Sequence, residues 1–163
     1  MTPKQELISA LQNIPWFQDL NQEHFDNLAG ISDVIEVDAG KDLFHQGDKQ
    51  DYLYVILKGR VAIEIAVPGK GRVRISTCEP TELLGWSSVT PIIRQRTAGA
   101  ITVLPSTLVR LDAKELQNLC DQNHSFGYAV MRRIANVAAS RLLVTRLQLL
   151  DMFSHSSKEG SNA

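Results

Sequence analysis

The chain has 163 residues, of which 44% are hydrophobic, and its 17 Lys and Arg residues nearly balance 18 Asp and Glu residues. This length suits one compact domain with an appended element, and two full domains would be cramped. The net charge of −1 excludes a general basic field for nucleic acid or anionic lipid, so any anion site must be local. The sequence shows neither a signal-peptide core nor an apolar run long enough for a membrane helix, so a cytosolic location is predicted.

The N-terminal residues carry the apolar period of α-helices. Apolar residues recur at helical spacing in LISALQNI and again in NQEHFDNLAG, so two short helices are predicted between Pro3 and about Ala29. The segment PWFQDL separates them, and Asn21 is a suitable N-cap for the second helix.

From about Val34 to Asp112 the apolar period drops to two, in short runs punctuated by glycine and proline. The runs are YLYVILKG, RVAIEIAV, VRISTC, AITV and LVRL. Many short strands at this spacing predict a β-sandwich or barrel. Asp112 and Glu115, in the segment DAKE, form a variant capping box that opens the next helix.

A long helix is predicted from about 125 to 153, and the polar residues 154–163 are predicted to be a disordered tail. The helix carries a seam at heptad spacing, formed by Met131, Ala135, Ala138, Leu142, Thr145, Leu149 and Met152. A second apolar stripe runs beside the seam through Val130, Ile134, Val137 and Val144.

Two stripes on one helix favour two packing partners, which are the chain's own strands and the same helix of a second copy. A homodimer through this helix is therefore predicted. The alternative is one wide apolar face that is buried in the chain's own core. The arginines of the helix are expected to extend beside the apolar residues towards solvent, and they are Arg132, Arg133 and Arg141.

Residues 83–99, LLGWSSVTPIIRQRTAG, combine several groups that suit a phosphate. Gly85 permits a backbone turn, after which WSSVT can form a short helical turn with unpaired N–H groups. Arg96 offers a planar fork of donors for two phosphate oxygens. Further hydroxyl donors stand at Ser87, Ser88 and Thr97. The segment therefore predicts a local phosphate site.

The order of these motifs resembles the cyclic-nucleotide-binding domain of catabolite activator-type (Crp/Fnr-like) regulators and of kinase regulatory subunits. The matching segments, within residues 12–153, are IPWFQDLNQEHFDNLA, AGKDLFHQGDKQDYLYVILKGRVAI and LLGWSSV followed by RTA. The resemblance implies that residues 1–153 form one sensor domain, an antiparallel β-roll of jelly-roll type that holds a cyclic nucleotide such as cyclic AMP. N-terminal helices flank this roll, and the long C-terminal helix is the implied dimer axis. The implied phosphate-binding cassette contains Gly85, Trp86, Ser87, Ser88, Arg96 and Thr97.

Trp86 departs from the family pattern. The resemblance implies a glutamate at this position, whose carboxylate accepts a hydrogen bond from the ribose 2′-hydroxyl. An indole N–H donates but cannot accept, so the lost hydrogen bond costs about 1–3 kcal/mol. Trp86 either stacks on the ring of a ligand or fills the pocket as part of the core. A filled pocket would leave Arg96 turned to solvent or paired with a carboxylate.

Two function classes remain open at this point. The first is a regulatory sensor that binds a phosphate-bearing small molecule and signals through its C-terminal helix to a regulatory partner. The second is a protein-interaction module with a closed pocket and no ligand. The sequence shows no recognisable nucleophile or acid–base pair, so an enzyme is not predicted. The histidines are scattered at positions 24, 45, 124 and 155, so a metal cofactor is not predicted either. Direct DNA binding by this chain is not expected, because no recognition helix follows the long helix.

Overall fold

The computed structural model describes residues 2–90 and 92–159 of the protein. In these residues the helices α1 (Pro3–Gln12) and α2 (Gln22–Gly30) come first, with a 3-10 turn at Pro15–Phe17 between them. Six strands follow, namely β1 (Ser32–Val37), β2 (Asp42–Phe44), β3 (Tyr52–Val67), β4 (Gly71–Cys78), β5 (Leu83–Leu84) and β6 (Gly99–Asp112). A second 3-10 turn, Trp86–Val89, lies between β5 and β6. The helices α3 (Ala113–Gln122) and α4 (His124–Glu159) come last.

The strands form one antiparallel sheet that is built on β3 and β6. The strand order is β1-β6-β3-β4, while β2 pairs with β6 and β5 pairs with β3. The pairing of β3 with β6 runs from Tyr52 opposite Asp112 to Glu64 opposite Gly99. This long ladder gives each of the other strands an edge to join. The predicted antiparallel β-roll with N-terminal helices and a long C-terminal helix is confirmed.

Gly59 and Pro105 do not end strands as the sequence pattern predicts. Strand β3 unites YLYVILKG with RVAIEIAV, and β6 unites AITV with LVRL. The pairing shifts register around Gly59, whose φ is +99°, and a Cβ there would lie 2.6 Å from the carbonyl oxygen of Pro105. A bulge therefore bends both strands at one corner, and the ladder continues on either side of it.

The helices cover one end of the sheet and complete the larger hydrophobic core. The side chains that are almost fully buried in this core include Leu11, Leu28, Leu53, Leu111, Leu116 and Phe126. The Asn21 side chain accepts a hydrogen bond from the backbone N–H of His24 at 2.9 Å. The Asp112 carboxylate accepts one from the N–H of Glu115, also at 2.9 Å. Both predicted N-caps, Asn21 and Asp112, are confirmed.

Helix α4 presents different stripes to the core and to solvent. Val130 and Ile134 are buried and Val137 packs partly against the same core. In contrast, Leu142 is 51% exposed and Met152 is 70% exposed. The alternative of one wide face buried in the chain's own core is therefore wrong. Further leucines at helical spacing lie exposed outside the predicted seam, and they are Leu143, Leu147 and Leu150.

Helix α4 also extends further than the pattern predicts. It begins at His124 and ends at Glu159, six residues after the expected end at residue 153. Serine hydroxyls in this last part donate to carbonyls of the preceding turn, Ser154 to Leu150 at 3.0 Å and Ser157 to Phe153 at 3.1 Å. These bonds satisfy serine hydroxyls within the polar end of the helix. The disordered tail at 154–163 stays a prediction. Residues 160–163 of the predicted tail lie outside the described residues.

No helix in the described part of the chain combines the length and the apolar character needed to cross a membrane.

Candidate ligand-binding site

A tight turn at Gly85 brings the segment after β5 back towards the sheet. Gly85 has φ +72°, in the left-handed region, and the 3-10 turn of Trp86–Val89 follows it directly. A Cβ at Gly85 would overlap the guanidinium of Arg96 and lie 3.0 Å from the carbonyl oxygen of Tyr52. Only glycine fits this position without displacing its neighbours.

Arg96 is the buried cation of the site, with 4% of its surface exposed. Its Nη1 donates to the Gly85 carbonyl at 3.3 Å, and its Nη2 donates to the Tyr52 carbonyl. The guanidinium carbon lies 4.2 Å from the ring centroid of Phe44. Two carbonyls and an aromatic face thus hold the guanidinium group in place.

The loop HQGD fixes the backbone of Arg96. The backbone N–H of Arg96 donates to the carbonyl of Asp48 at 2.9 Å, and the N–H of Gly47 donates to the carbonyl of Arg96 at 2.8 Å. These reciprocal bonds join two segments that are almost fifty residues apart in sequence. The glycine of HQGD therefore contributes to the placement of the cation.

The charge of Arg96 is incompletely compensated by the protein. Burial lowers the pKa of its guanidinium, although electrostatic interactions with Tyr54, Asp51 and Asp48 oppose this shift. Its buried Nε has no hydrogen-bond partner among the described residues. In that same set of residues, no carboxylate forms an ion pair with Arg96. A bound anion would supply the missing acceptor.

A cavity of about 220 Å³ lies beside Arg96, between the sheet, the Gly85 turn and α4. Of the six predicted site residues, the structure brings five to its wall, namely Gly85, Trp86, Ser87, Arg96 and Thr97. Ser88 is buried but does not line the cavity, because its carbonyl accepts from Gln117 of α3 at 3.0 Å. The hydroxyl of Ser87 donates to the side-chain oxygen of Gln50.

Trp86 forms part of the cavity wall and does not fill the cavity. Its side chain is half-buried and packs partly against the larger core, and space remains beside it. Arg96 is neither exposed to solvent nor paired with a carboxylate among the described residues. Both observations are opposite to what a fully filled pocket requires.

Helix α4 contributes cavity residues that the sequence patterns did not identify. They are Arg141, Val144, Thr145 and Gln148. Arg141 was expected to reach solvent, and Thr145 was assigned to the dimer seam. A signal for them exists, because the stripe through Val130, Ile134 and Val137 continues at helical spacing to Arg141 and Gln148. The stripe changes from apolar to polar where α4 passes the cavity.

The described residues contain no cluster of three or more His, Cys, Asp or Glu side chains that could hold a metal ion. The chemistry of the cavity is that of hydroxyls, two guanidinium groups and an indole within an apolar wall.

Residues 34–123, more than half of the chain, match the model of the family described as the cyclic nucleotide-binding domain. The protein therefore belongs to this family, whose members are typically regulatory or sensory and mostly non-enzymatic. The conclusion confirms the resemblance seen in the sequence motifs.

Solved structures share the fold over almost the whole chain. A cyclic nucleotide-binding domain from Methylobacillus flagellatus KT is 23% identical with a TM-score of 0.76, and the match covers 91% of this chain and 83% of that one. A putative cyclic nucleotide-binding protein from Geobacter metallireducens GS-15 is 21% identical with a TM-score of 0.72, covering 87% of this chain and 98% of that one. The catabolite activator protein of Thermus thermophilus is 26% identical with a TM-score of 0.68, covering 86% and 63%. These matches confirm the jelly-roll fold.

The geometry predicts a specific cost for a side chain at position 85. Gly85→Ala should lower the free energy of unfolding through its positive φ and through displacement of Arg96. Gly69→Ala is a matched control, because Gly69 has φ +77° but nothing within 4 Å of its Cβ position. In urea denaturation, we expect a loss of about 1 kcal/mol for Gly69→Ala and at least about 1 kcal/mol more for Gly85→Ala. Equal losses would contradict the close approach of Arg96.

Proposed function

We propose that the protein is a regulatory sensor that binds a phosphate-bearing small molecule, with cyclic AMP or another cyclic nucleotide as the candidate. The observation that carries this proposal is the buried Arg96, which lines the cavity and whose Nε has no hydrogen-bond partner in the described part of the chain. A cation buried in this way is costly without an anion, and a phosphate accepts hydrogen bonds from several donors at once.

Each cavity residue of the Gly85 turn has a distinct part in this proposal. Arg96 supplies charge and the unpaired Nε–H to one or two phosphate oxygens. Thr97 supplies a hydroxyl donor, and Ser87 supplies a second one when its O–H turns from Gln50 to the ligand. Gly85, which has no side chain, leaves room for the guanidinium of Arg96. The cation is fixed before the ligand arrives, which lowers the entropy cost of binding.

Helix α4 is the element through which binding would be signalled. Its Gln148 side chain donates to the carbonyl of Ile75 in β4 at 2.7 Å, and Arg141 contacts two other side chains of β4. A ligand in the cavity would contact both α4 and the strands on which α4 packs. It would therefore favour one position of α4 over another, and a regulatory partner would respond to that position.

The exposed seam of α4 supports homodimerisation as part of the proposal. Large apolar side chains stand exposed at seam positions Leu142, Leu149 and Met152. Burial of this seam against a second copy would remove a contiguous apolar surface from water. A cytosolic location and the absence of direct DNA contact by this chain remain predictions from the sequence.

A second candidate is a protein-interaction module that needs no ligand. Trp86 favours it, because the indole stands where the resemblance implies a carboxylate acceptor. The exposed leucines of α4 would then carry the function alone. The two candidates differ in whether Arg96 matters, so the first experiment concerns that residue.

Calorimetric titration with cyclic AMP, extended to millimolar ligand, tests the sensor proposal. We expect saturable binding to the wild-type protein and a loss of about a hundredfold or more in affinity for Arg96→Met. Arg94→Met is the control, because Arg94 is exposed and does not line the cavity. Absence of heat with the wild type, with partner binding unaffected by Arg96→Met, would favour the interaction module.

The wall position of Trp86 makes a prediction about the ribose. An indole N–H cannot accept from a 2′-hydroxyl, so that hydroxyl should contribute little to binding. Cyclic AMP and 2′-deoxy cyclic AMP should therefore bind within about threefold of one another in the same titration. A preference of tenfold or more for cyclic AMP would show that another group in the cavity accepts from the 2′-hydroxyl. That result would contradict the prediction.

Sedimentation equilibrium tests the dimer. The wild type should sediment as a dimer at micromolar concentration, and Leu142→Glu should give monomers because it places a charge in the seam. Leu147→Glu is the control, because Leu147 is similarly exposed but lies on the face of α4 opposite the seam. A wild-type protein that stays monomeric at high micromolar concentration would refute the dimer.

A further inference from the structure

Three exposed leucines lie on the side of α4 opposite the dimer seam. Leu143, Leu147 and Leu150 are each more than half exposed, and they follow one another at four- and three-residue steps. This spacing places them in one line along the helix, which we call the leucine stripe. In the described chain, neither the hydrophobic core nor the cavity wall includes any of them. The proposed dimer seam would leave the leucine stripe exposed as well.

The same side of α4 borders a polar groove before the leucines begin. Asn136 and Ser140 precede the leucine stripe at helical spacing, and they line a groove of about 280 Å³ together with Thr81 and Glu82 of the β4–β5 turn. The groove and the leucine stripe together extend over residues 136–150, which corresponds to about 21 Å or four helical turns. A partner helix of about this length would therefore fit along the surface.

The outward flank of this surface, on the side of α4 that faces away from the sheet, is basic. Arg132 and Arg146 lie on this flank and are exposed, and no carboxylate of the described residues forms an ion pair with either. Between residues 124 and 159, α4 carries five Lys and Arg residues against two Asp and Glu residues, although the whole chain has a net charge of −1. Asp151 lies on the other flank, beside His155. A partner with carboxylates along the outward flank would match these arginines.

A second copy of the chain fits this surface less well than a different protein does. Antiparallel pairing of two leucine stripes would set their outward flanks side by side, so arginines would face arginines. Parallel pairing would add a twofold axis parallel to that of the proposed seam dimer. Two parallel twofold axes generate an open array, whereas most soluble oligomers are closed. Charge and symmetry therefore both favour a partner of different sequence.

We propose that the leucine stripe and the adjoining polar groove form a docking surface for an acidic amphipathic helix of a regulatory partner. The partner helix presents apolar residues to Leu143, Leu147 and Leu150, and carboxylates to Arg132 and Arg146. This inference rests on the proposed function, because it describes the partner that responds to the position of α4.

The location of the leucine stripe connects this partner to the cavity. Val144 and Gln148 line the cavity, and they directly follow Leu143 and Leu147 in the sequence. A ligand that shifts α4 against β4 therefore also shifts the leucine stripe relative to the β4–β5 turn. The partner helix contacts both the stripe and the turn, so its affinity depends on the state of the cavity.

The test uses two synthetic helical peptides of about 15 residues, each stapled on the face opposite its leucines. The acidic peptide carries leucines at four- and three-residue spacing with glutamates beside them, and the basic peptide has lysines in place of the glutamates. Binding of each labelled peptide to the full chain is measured by fluorescence anisotropy without nucleotide. We expect saturable binding of the acidic peptide at micromolar concentration and about tenfold or more weaker binding of the basic peptide.

Variants on different faces of α4 locate the binding surface. Leu147→Glu should weaken binding of the acidic peptide by about tenfold or more, because it places a carboxylate in the leucine stripe. Leu147→Met keeps an apolar side chain of similar volume, and Leu142→Glu changes only the dimer seam, so both should bind within about threefold of the wild type. Arg146→Glu should remove the preference for the acidic peptide. Arg94→Glu, which changes an exposed arginine outside α4, should keep that preference.

Three results would overturn the inference. The first is no binding of the acidic peptide, or binding that neither the basic peptide nor Leu147→Glu distinguishes from the expected complex. The second is a wild-type assembly larger than a dimer that Leu147→Glu reduces to a dimer, because a second copy would then cover the leucine stripe. The third is sedimentation of the wild type, but not of Leu147→Glu, with vesicles of anionic phospholipid, which would assign the stripe to a lipid surface.

Failure of this inference is distinguishable from failure of the proposed function. The peptide titrations contain no nucleotide, so their result does not depend on whether the cavity binds a ligand. Loss of the acidic peptide by a Leu147→Glu protein that still sediments as a dimer would separate the docking surface from the dimer seam. Thermal unfolding of each variant verifies that the domain remains folded.

Discussion

Burial of the Arg96 guanidinium is the constraint on which the site depends. The group lies against the ring of Phe44 and donates to the carbonyls of Gly85 and Tyr52, so three separate segments must converge on it. The glycine turn, the HQGD loop and the start of β3 are all placed by this convergence. Burying a cation without a carboxylate costs free energy. The long β3–β6 pairing holds the surrounding segments in place and so offsets that cost.

Helix α4 contacts the core with one part of its surface, lines the cavity with a second and leaves a third exposed. Its first turns complete the hydrophobic core through Val130 and Ile134, and the same stripe then becomes polar and lines the cavity at Arg141 and Gln148. The adjacent stripe, which includes Leu142 and Leu149, remains exposed. The helix thus joins the domain core, the cavity and an unpaired apolar surface without any intervening hinge, which makes it well suited to transmit a small displacement.

Many short strands, the helix caps and most of the candidate site follow from local patterns, whereas the β-roll that arranges the strands is implied by the family resemblance. Strand alternation, caps at Asn21 and Asp112 and the spacing of Gly85 and Arg96 are all read within short windows, so the sequence predicts them. The continuity of β3 through Gly59 is not local, because it depends on the opposite strand bulging at Pro105. Arg141 was missed for a similar reason. An arginine beside an apolar stripe usually reaches solvent, and only the packing of α4 on β4 turns this one to the cavity.

Cavity residues and seam residues alternate within the same two turns of α4, where Arg141 precedes Leu142 and Gln148 precedes Leu149. A helix that moves against β4 must therefore move its seam as well. Under the proposed dimerisation, ligand and second copy become thermodynamically linked, and each changes the affinity for the other by the same factor. The apparent dissociation constant of the ligand would then vary with protein concentration, so cellular abundance itself would set the sensitivity of the sensor.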